Sequence, residues 1–395
     1  MKRFFSYSIL SFFLLLLPTG QASANNNDSI RLSLLTCAPG EEIYSLFGHT
    51  AIRYENSSQG IDVVFNYGLF SFNTPNFIFR FSLGETDYQL GATDYERFAA
   101  EYAFFGRSVW QQTLNLTDEE KTELIRLLQE NYRPENRVYR YNFFYDNCAT
   151  RPRDKIEESI AGKVIYPAEP QDGSLTFRDI VHQYCKGHPW ARFGIDLCIG
   201  SEADQPITQR QMMFAPFYLM DAFDGAQIST DTYSRPLVKT NELIIDVTPE
   251  PDESDWMPTP LQCSLLLFIL TAAATIYGIR RRTGLWGIDL VLFGMAGIVG
   301  CVLAFLALFS QHPAVSSNFL LLVFHPGQLL FLPYIVYCVR KGKKCWYLTL
   351  NLVVLTLFIV LFPVIPQRFD FAVVPLALVL LIRSASNLIV TSKKK

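Results

Sequence analysis

Five apolar stretches fill the C-terminal third of this chain, and they limit its possible folds more than any other feature. They run Leu261 to Ile279, Leu290 to Phe309, Asn318 to Cys338, Cys345 to Val364 and Phe371 to Ile389. At a rise of about 1.5 Å per residue, each is long enough, or nearly so, to cross a bilayer as a helix. Lipid offers no partner to backbone N–H and C=O groups, so a helix, which satisfies its own, is the expected form. The intervening charges give a direction. The loops after the first and third stretches, and the tail, carry Arg280, Arg281, Arg282, Arg340, Lys341, Lys343, Lys344 and Lys393 to Lys395, whereas the opposite loops carry only Arg368. Basic loops stay cytoplasmic, so everything before about Pro260 is expected outside and the C-terminus inside.

The other end of the chain agrees. "MKRFFSYSILSFFLLLLPTGQASA" has a basic start at Lys2 and Arg3, a short apolar core and the small residues Ala22-Ser23-Ala24, which reads as a cleaved signal peptide over 1–24. The organisation expected is therefore an exported domain over 25–246, a proline-rich acidic linker over 247–260 and a membrane domain over 261–395. A formal net charge of −3 without a basic stripe gives no footprint for nucleic acid. Cys37, Cys148, Cys185 and Cys198 fall in the exported part, where Cys185 and Cys198 could close a short disulfide loop. No CxxC pair occurs, and neither a metal nor a cofactor is expected.

In the exported part, "HTAIRY" and "IDVVFNYG" flank the polar "ENSSQG" and read as a β-hairpin. With the turn centred between Ser57 and Ser58, Arg53 faces Asp62, Ala51 faces Val64 and His49 faces Asn66. "LTDEEKTELIRLLQENYRPEN" reads as a helix with a Thr117/Glu120 capping box, stopped before Pro134. The alternation of Tyr139, Tyr141, Phe143 and Tyr145 predicts a strand. Strands mixed with helices in this order predict an α/β or α+β domain.

"YDNCATRPRD" then places Cys148 after Asn147, a good helix N-cap. A thiol becomes a useful nucleophile through a helix N-terminus or a neighbouring imidazole. Among the five histidines, His49 opens the hairpin on the same face as Asn66, which could orient the ring as the third member of a cysteine triad. Pro152 suits a first helical turn and disturbs a helix already begun at Cys148. The plainer reading keeps Cys148 as a buried thiol unconnected to His49. His182 and His188 read as surface or structural residues, and His312 falls in an outer loop. His325, inside an apolar stretch, is either functional or bonded to a neighbouring helix.

"FGHTAIRY", "VVFNYGLF", "NFFYDNCATRPRD" and "PWARFGIDLCIG", followed by the multi-helix region, resemble the Lnb-type lipoprotein N-acyltransferases over nearly the whole mature chain. The His-before-Cys order is also similar to the permuted papain-like folds of lecithin:retinol acyltransferases and NlpC-type peptidases. The resemblance implies a permuted papain-like α+β domain followed by five transmembrane helices, multi-pass in a bacterial inner membrane with the first domain periplasmic. It implies Cys148 as nucleophile and His49 as base; Asn66 as orienting residue comes from the hairpin register, with Asn147, Tyr67 and Arg53 as supporting or substrate-binding residues. The implied partners are a phospholipid acyl donor, a diacylated lipoprotein acceptor and the bilayer, and the implied reaction passes through a thioester. A cell-wall peptidase or amidase and a phospholipid deacylase are the rival activities, and a membrane-bound sensor or assembly partner is the rival without catalysis.

Overall fold

The computed structural model describes residues 29–70, 73, 75–247 and 257–392. The expected signal peptide, most of the expected linker and the three terminal lysines lie outside the described residues. Among the described residues ten strands occur in chain order: β1 (Ile30–Cys37), β2 (His49–Asn56), β3 (Ile61–Leu69), β4 (Asp87–Asp94), β5 (Val109–Leu114), β6 (Val138–Arg140), β7 (Lys163–Ile165), β8 (Gln227–Ser229), β9 (Ser234–Pro236) and β10 (Val238–Ile245). Seven make one sheet in the order β10-β5-β1-β2-β3-β4-β6, with every neighbour antiparallel, and β7-β8-β9 form a small second sheet. The α+β expectation holds.

β1 is apolar along most of its length because both its faces are covered. Leu32 and Leu34 enter a core with Leu124, Leu128, Ile156 and Phe223, while Leu35 and Cys37 pack with Phe98 and Tyr102 on the other face. The helix Asp118–Tyr132 starts with the expected box: the Thr117 hydroxyl accepts from the Glu120 amide, and the Glu120 carboxylate accepts from the Thr117 amide. Such a cap contributes about 1 kcal/mol. The strand expected from Tyr139 to Tyr145 is cut to Val138–Arg140. Asn142 Oδ1 accepts from the Phe144 and Tyr145 amides, and Asn142 and Asp146 exchange backbone bonds, so a tight turn replaces the ladder.

Four helices among the described residues are long and apolar enough to cross a membrane: Pro260–Arg280, Trp286–Phe309, Trp346–Val364 and Val373–Ser392. The third apolar stretch, expected as one helix, is instead three pieces, Phe319–Leu322, Gly327–Leu330 and Leu332–Lys341. Pro326, with no N–H, sits at the break, and the freed backbone groups find side chains: Asn318 Oδ1 accepts from the Leu320 amide and Gln328 Nε2 donates to the Val323 carbonyl. Glycine makes room for this segment. A Cβ at Gly300 would meet the His325 backbone at 2.4 Å. His325 Nε2 reaches Asn351 Oδ1 at 3.4 Å, the interhelical bond of the structural alternative. Arg383, unremarked inside the fifth stretch, is fully buried against Asp289 at 2.7 Å and joins two helices.

The exported domain is seated on one end of these helices. Gln311 N donates to the Leu83 carbonyl, His312 Nε2 lies 3.1 Å from the Phe81 carbonyl, and the Phe79 and Phe305 rings are 5.6 Å apart. "PWARFGIDLCIG" forms a second contact, where Asn318 Nδ2 donates to the Leu197 carbonyl and Gln367 Nε2 to that of Ile199. Arg368, the lone basic residue of the outer loops, is held by Asp179 at 2.6 Å and Asp204 at 3.1 Å. It therefore fastens the two domains together.

Candidate active site

The β2–β3 ladder pairs Ala51 with Asn66, Arg53 with Val64 and Glu55 with Asp62. The expected register is thus wrong by two residues, because the turn includes Ser57 to Gly60 rather than closing between Ser57 and Ser58. A two-residue shift preserves the face, as a one-residue shift would not. His49 Nε2 accordingly still reaches Asn66 Oδ1, diagonally, at 3.2 Å. Arg53 likewise still holds Asp62, through two bonds of 2.8 and 2.7 Å. Gly48 places His49 at the start of β2. Its φ of +78° is left-handed, and a Cβ there would stand 2.5 Å from the Cys37 carbonyl oxygen.

Cys148 arrives from the other side. Asn147, buried, accepts from the Ala149 and Thr150 amides with Oδ1 and donates with Nδ2 to the carbonyls of Phe143 and Phe214. All its bonding capacity goes into fixing the cysteine turn. The regular helix runs Thr150–Ser159, two residues later than the cap position suggests. Pro152 explains the delay: lacking an N–H, it leaves the Cys148 carbonyl without its helical bond, yet it fits within the first turn. Beyond the Ala51–Asn66 pair, the Thr50 backbone N–H turns toward the Cys148 sulfur, which puts the thiol beside the residue next to His49. Gly68, at φ +90° in a bulge of β3, is part of the opening; its Cβ would lie 3.5 Å from that of Cys148. The structure therefore gathers Cys148, His49 and Asn66 at one end of the sheet.

Burial pushes the Cys148 thiol up to about 11, against the pull of the Thr50 and Cys148 amides and the Arg107 charge. Burial also drives His49 down to about 4; Arg107 adds to that, and the bond to Asn66 opposes it. At neutral pH both groups are uncharged. Since Asn66 Oδ1 accepts, Nε2 carries the imidazole proton and Nδ1 keeps its lone pair, the form a general base needs. Arg107, missed in the sequence because no spacing marks it, donates Nε to the Ala38 carbonyl and keeps a buried Nη2 without a hydrogen-bond partner among the described residues. For a substrate that does not itself titrate, the acid limb of kcat/KM should fall near pH 4, well below the ordinary histidine value of 6.5, and Arg107→Gln should move it upward by removing a charge that disfavours imidazolium. A limb that stays in place in the variant would remove Arg107 from the site's field.

Tyr67 is buried and donates to Asn131 Oδ1 at 2.8 Å. Arg53, besides Asp62, donates to Gln111 and lies over the Tyr95 ring at 3.3 Å. Both brace the sheet. An aromatic row leads to the cysteine. Phe77 stacks on Phe70 at 5.4 Å, Phe70 on Tyr88 at 4.9 Å and Tyr88 on Tyr141 at 4.1 Å, and Cys148 packs against the same cluster. Phe77 opens the helix Phe77–Leu83, which rests on the outer end of the membrane helices and leaves Ile78 and Phe79 exposed. Elsewhere, His182 pairs with Asp196 and His188 precedes the helix Pro189–Cys198. All eight cysteines are free, so Cys185 and Cys198 do not bridge. No group of three His, Cys, Asp or Glu among the described residues could hold a metal ion.

Fold and site together define a class: an exported α+β domain with a cysteine at the strand end that carries an asparagine-braced histidine, on membrane-spanning helices. The family models give the particular member of it. The Lnb N-terminal periplasmic domain matches residues 20–182, and the Lnb transmembrane domain matches residues 252–395. The chain carries both domains in order and belongs to the Lnb-type lipoprotein N-acyltransferase family. Comparisons with curated proteins and with solved structures give no match.

Proposed function

We propose that this chain moves a fatty-acyl group from a membrane phospholipid, through a Cys148 thioester, to the α-amino group of the N-terminal diacylglyceryl-cysteine of a lipoprotein. In the first half, His49 Nδ1 takes the thiol proton as sulfur attacks the ester carbonyl; the tetrahedral adduct collapses, the ester C–O bond breaks, and the proton passes to the leaving lysophospholipid oxygen. In the second half the neutral amine attacks the thioester. His49 accepts its proton, the C–S bond breaks, and the thiol is restored with an amide as product. Asn66 keeps the ring in the basic tautomer, and the Cys148 amide receives the developing oxyanion charge. Residues 1–24 are removed on export, and the tail after Ser392 lies in the cytoplasm.

The observation that carries this reading is the aromatic row from the membrane-seated helix Phe77–Leu83 to the sulfur. A soluble murein peptide needs no apolar approach from the bilayer, whereas both two-chain lipids do. The test is incubation of the full-length protein with phospholipid and a synthetic diacylated lipopeptide. The lipopeptide should gain the mass of one acyl chain as lysophospholipid appears. Free fatty acid released at the same rate with or without lipopeptide would make the enzyme a deacylase, and cleavage of murein peptides would make it a peptidase.

A further inference from the structure

A groove with an apolar wall and a basic end lies at the opposite end of the membrane domain. Because the third apolar stretch is broken, its last piece, Leu332–Lys341, is a short helix packed beside Trp286–Phe309. Between them runs a groove of about 600 Å³. Leu290, Leu332 and Val336 give it an apolar wall, and Tyr337, Arg340 and Lys341 close one end. Arg340 and Lys341 are both exposed, and among the described residues neither has a carboxylate partner. The nearest acid in the adjoining helix, Asp289, is already taken by Arg383. The Arg340 guanidinium stands 5.8 Å over the Trp286 ring, a position that keeps it at the interfacial end of the groove.

The periplasmic domain meets the same long helix at Phe305, at the far end from Leu290, about 22 Å along the axis. The groove is therefore remote from Cys148 and cannot present an ester to it. We propose that it binds one anionic phospholipid of the inner leaflet, with an acyl chain along Leu290, Leu332 and Val336 and the phosphate between Arg340 and Lys341. Loops kept cytoplasmic by charge need only basic residues. An apolar trough leading to two unpaired cations matches the two-part chemistry of a lipid.

The test uses the full-length protein and native mass spectrometry with phosphatidylglycerol or phosphatidylcholine in the micelle. The unmodified protein should keep one phosphatidylglycerol at activation energies that strip phosphatidylcholine. Arg340→Gln/Lys341→Gln should weaken retention about ten- to thirtyfold, from about 1 kcal/mol per basic residue at the surface. Val336→Trp, which fills the trough and leaves both charges, should weaken it as well. Arg280→Gln/Arg281→Gln, on the same side and outside the groove, should not. Equal retention of the two lipids by the unmodified protein would overturn the proposal without any variant. So would unchanged retention in Val336→Trp, or equal loss in the Arg280/Arg281 variant, since either would reduce the effect to surface charge.

Discussion

Cys148→Ser should abolish acyl transfer, by about 10³-fold or more, while the protein folds and inserts normally. Serine fits the same space, and the four Asn147 bonds that shape the turn do not involve the sulfur. What is lost is acidity. In the same surroundings a thiol is far more acidic than an alcohol, so the imidazole can take its proton during attack where a buried hydroxyl would keep it. The decisive readout is intact mass with phospholipid alone: the unmodified protein should gain one acyl chain, mapped to Cys148 and released by hydroxylamine, and the variant should gain none. Acylation of the variant, or of another residue, would end the thioester mechanism.

Arg178→Ala should be the most destabilising single change in the periplasmic domain, at about 3–5 kcal/mol. Arg178 is fully buried, and its guanidinium bonds Asp196 at 2.7 Å, Asp204 at 2.8 Å and the carbonyls of Ile199 and Gly200 at 3.1 Å. Truncation strands two carboxylates, of which Asp204 also holds Arg368 and Asp196 also holds His182. The damage should therefore reach the seam between the domains: the chain from Asp196 to Asp204 is the one that Asn318 and Gln367 grip. Thermal unfolding should drop sharply, and limited proteolysis should cut first in this segment. A variant with an unchanged midpoint would show that water replaces the guanidinium at little cost.

Several parts of this molecule were legible in its sequence because they depend on neighbours a few residues away. The Thr117 box needs only Glu120, and the pairing of His49 with Asn66 on one face survives a register error because side chains alternate with period two. The strand expected through Tyr145 failed at one residue, Asn142, whose side chain bonds its own turn. The third span failed at Pro326, where a break is tolerable only because Gln328, Asn318 and the glycines of a distant helix accommodate it.

The sequence by itself determined which part of the chain enters lipid and which is an exported α+β domain, since transfer free energy and charge asymmetry are sums over local residues. It also singled out the cysteine and the histidine. Only the tertiary structure decided the hairpin register, the late start of the Thr150–Ser159 helix, the Thr50 amide at the sulfur and the Arg107 charge that, with burial, keeps His49 neutral. Those features arise between groups far apart in the chain, where burial and electrostatic fields exist only once the fold has closed around them.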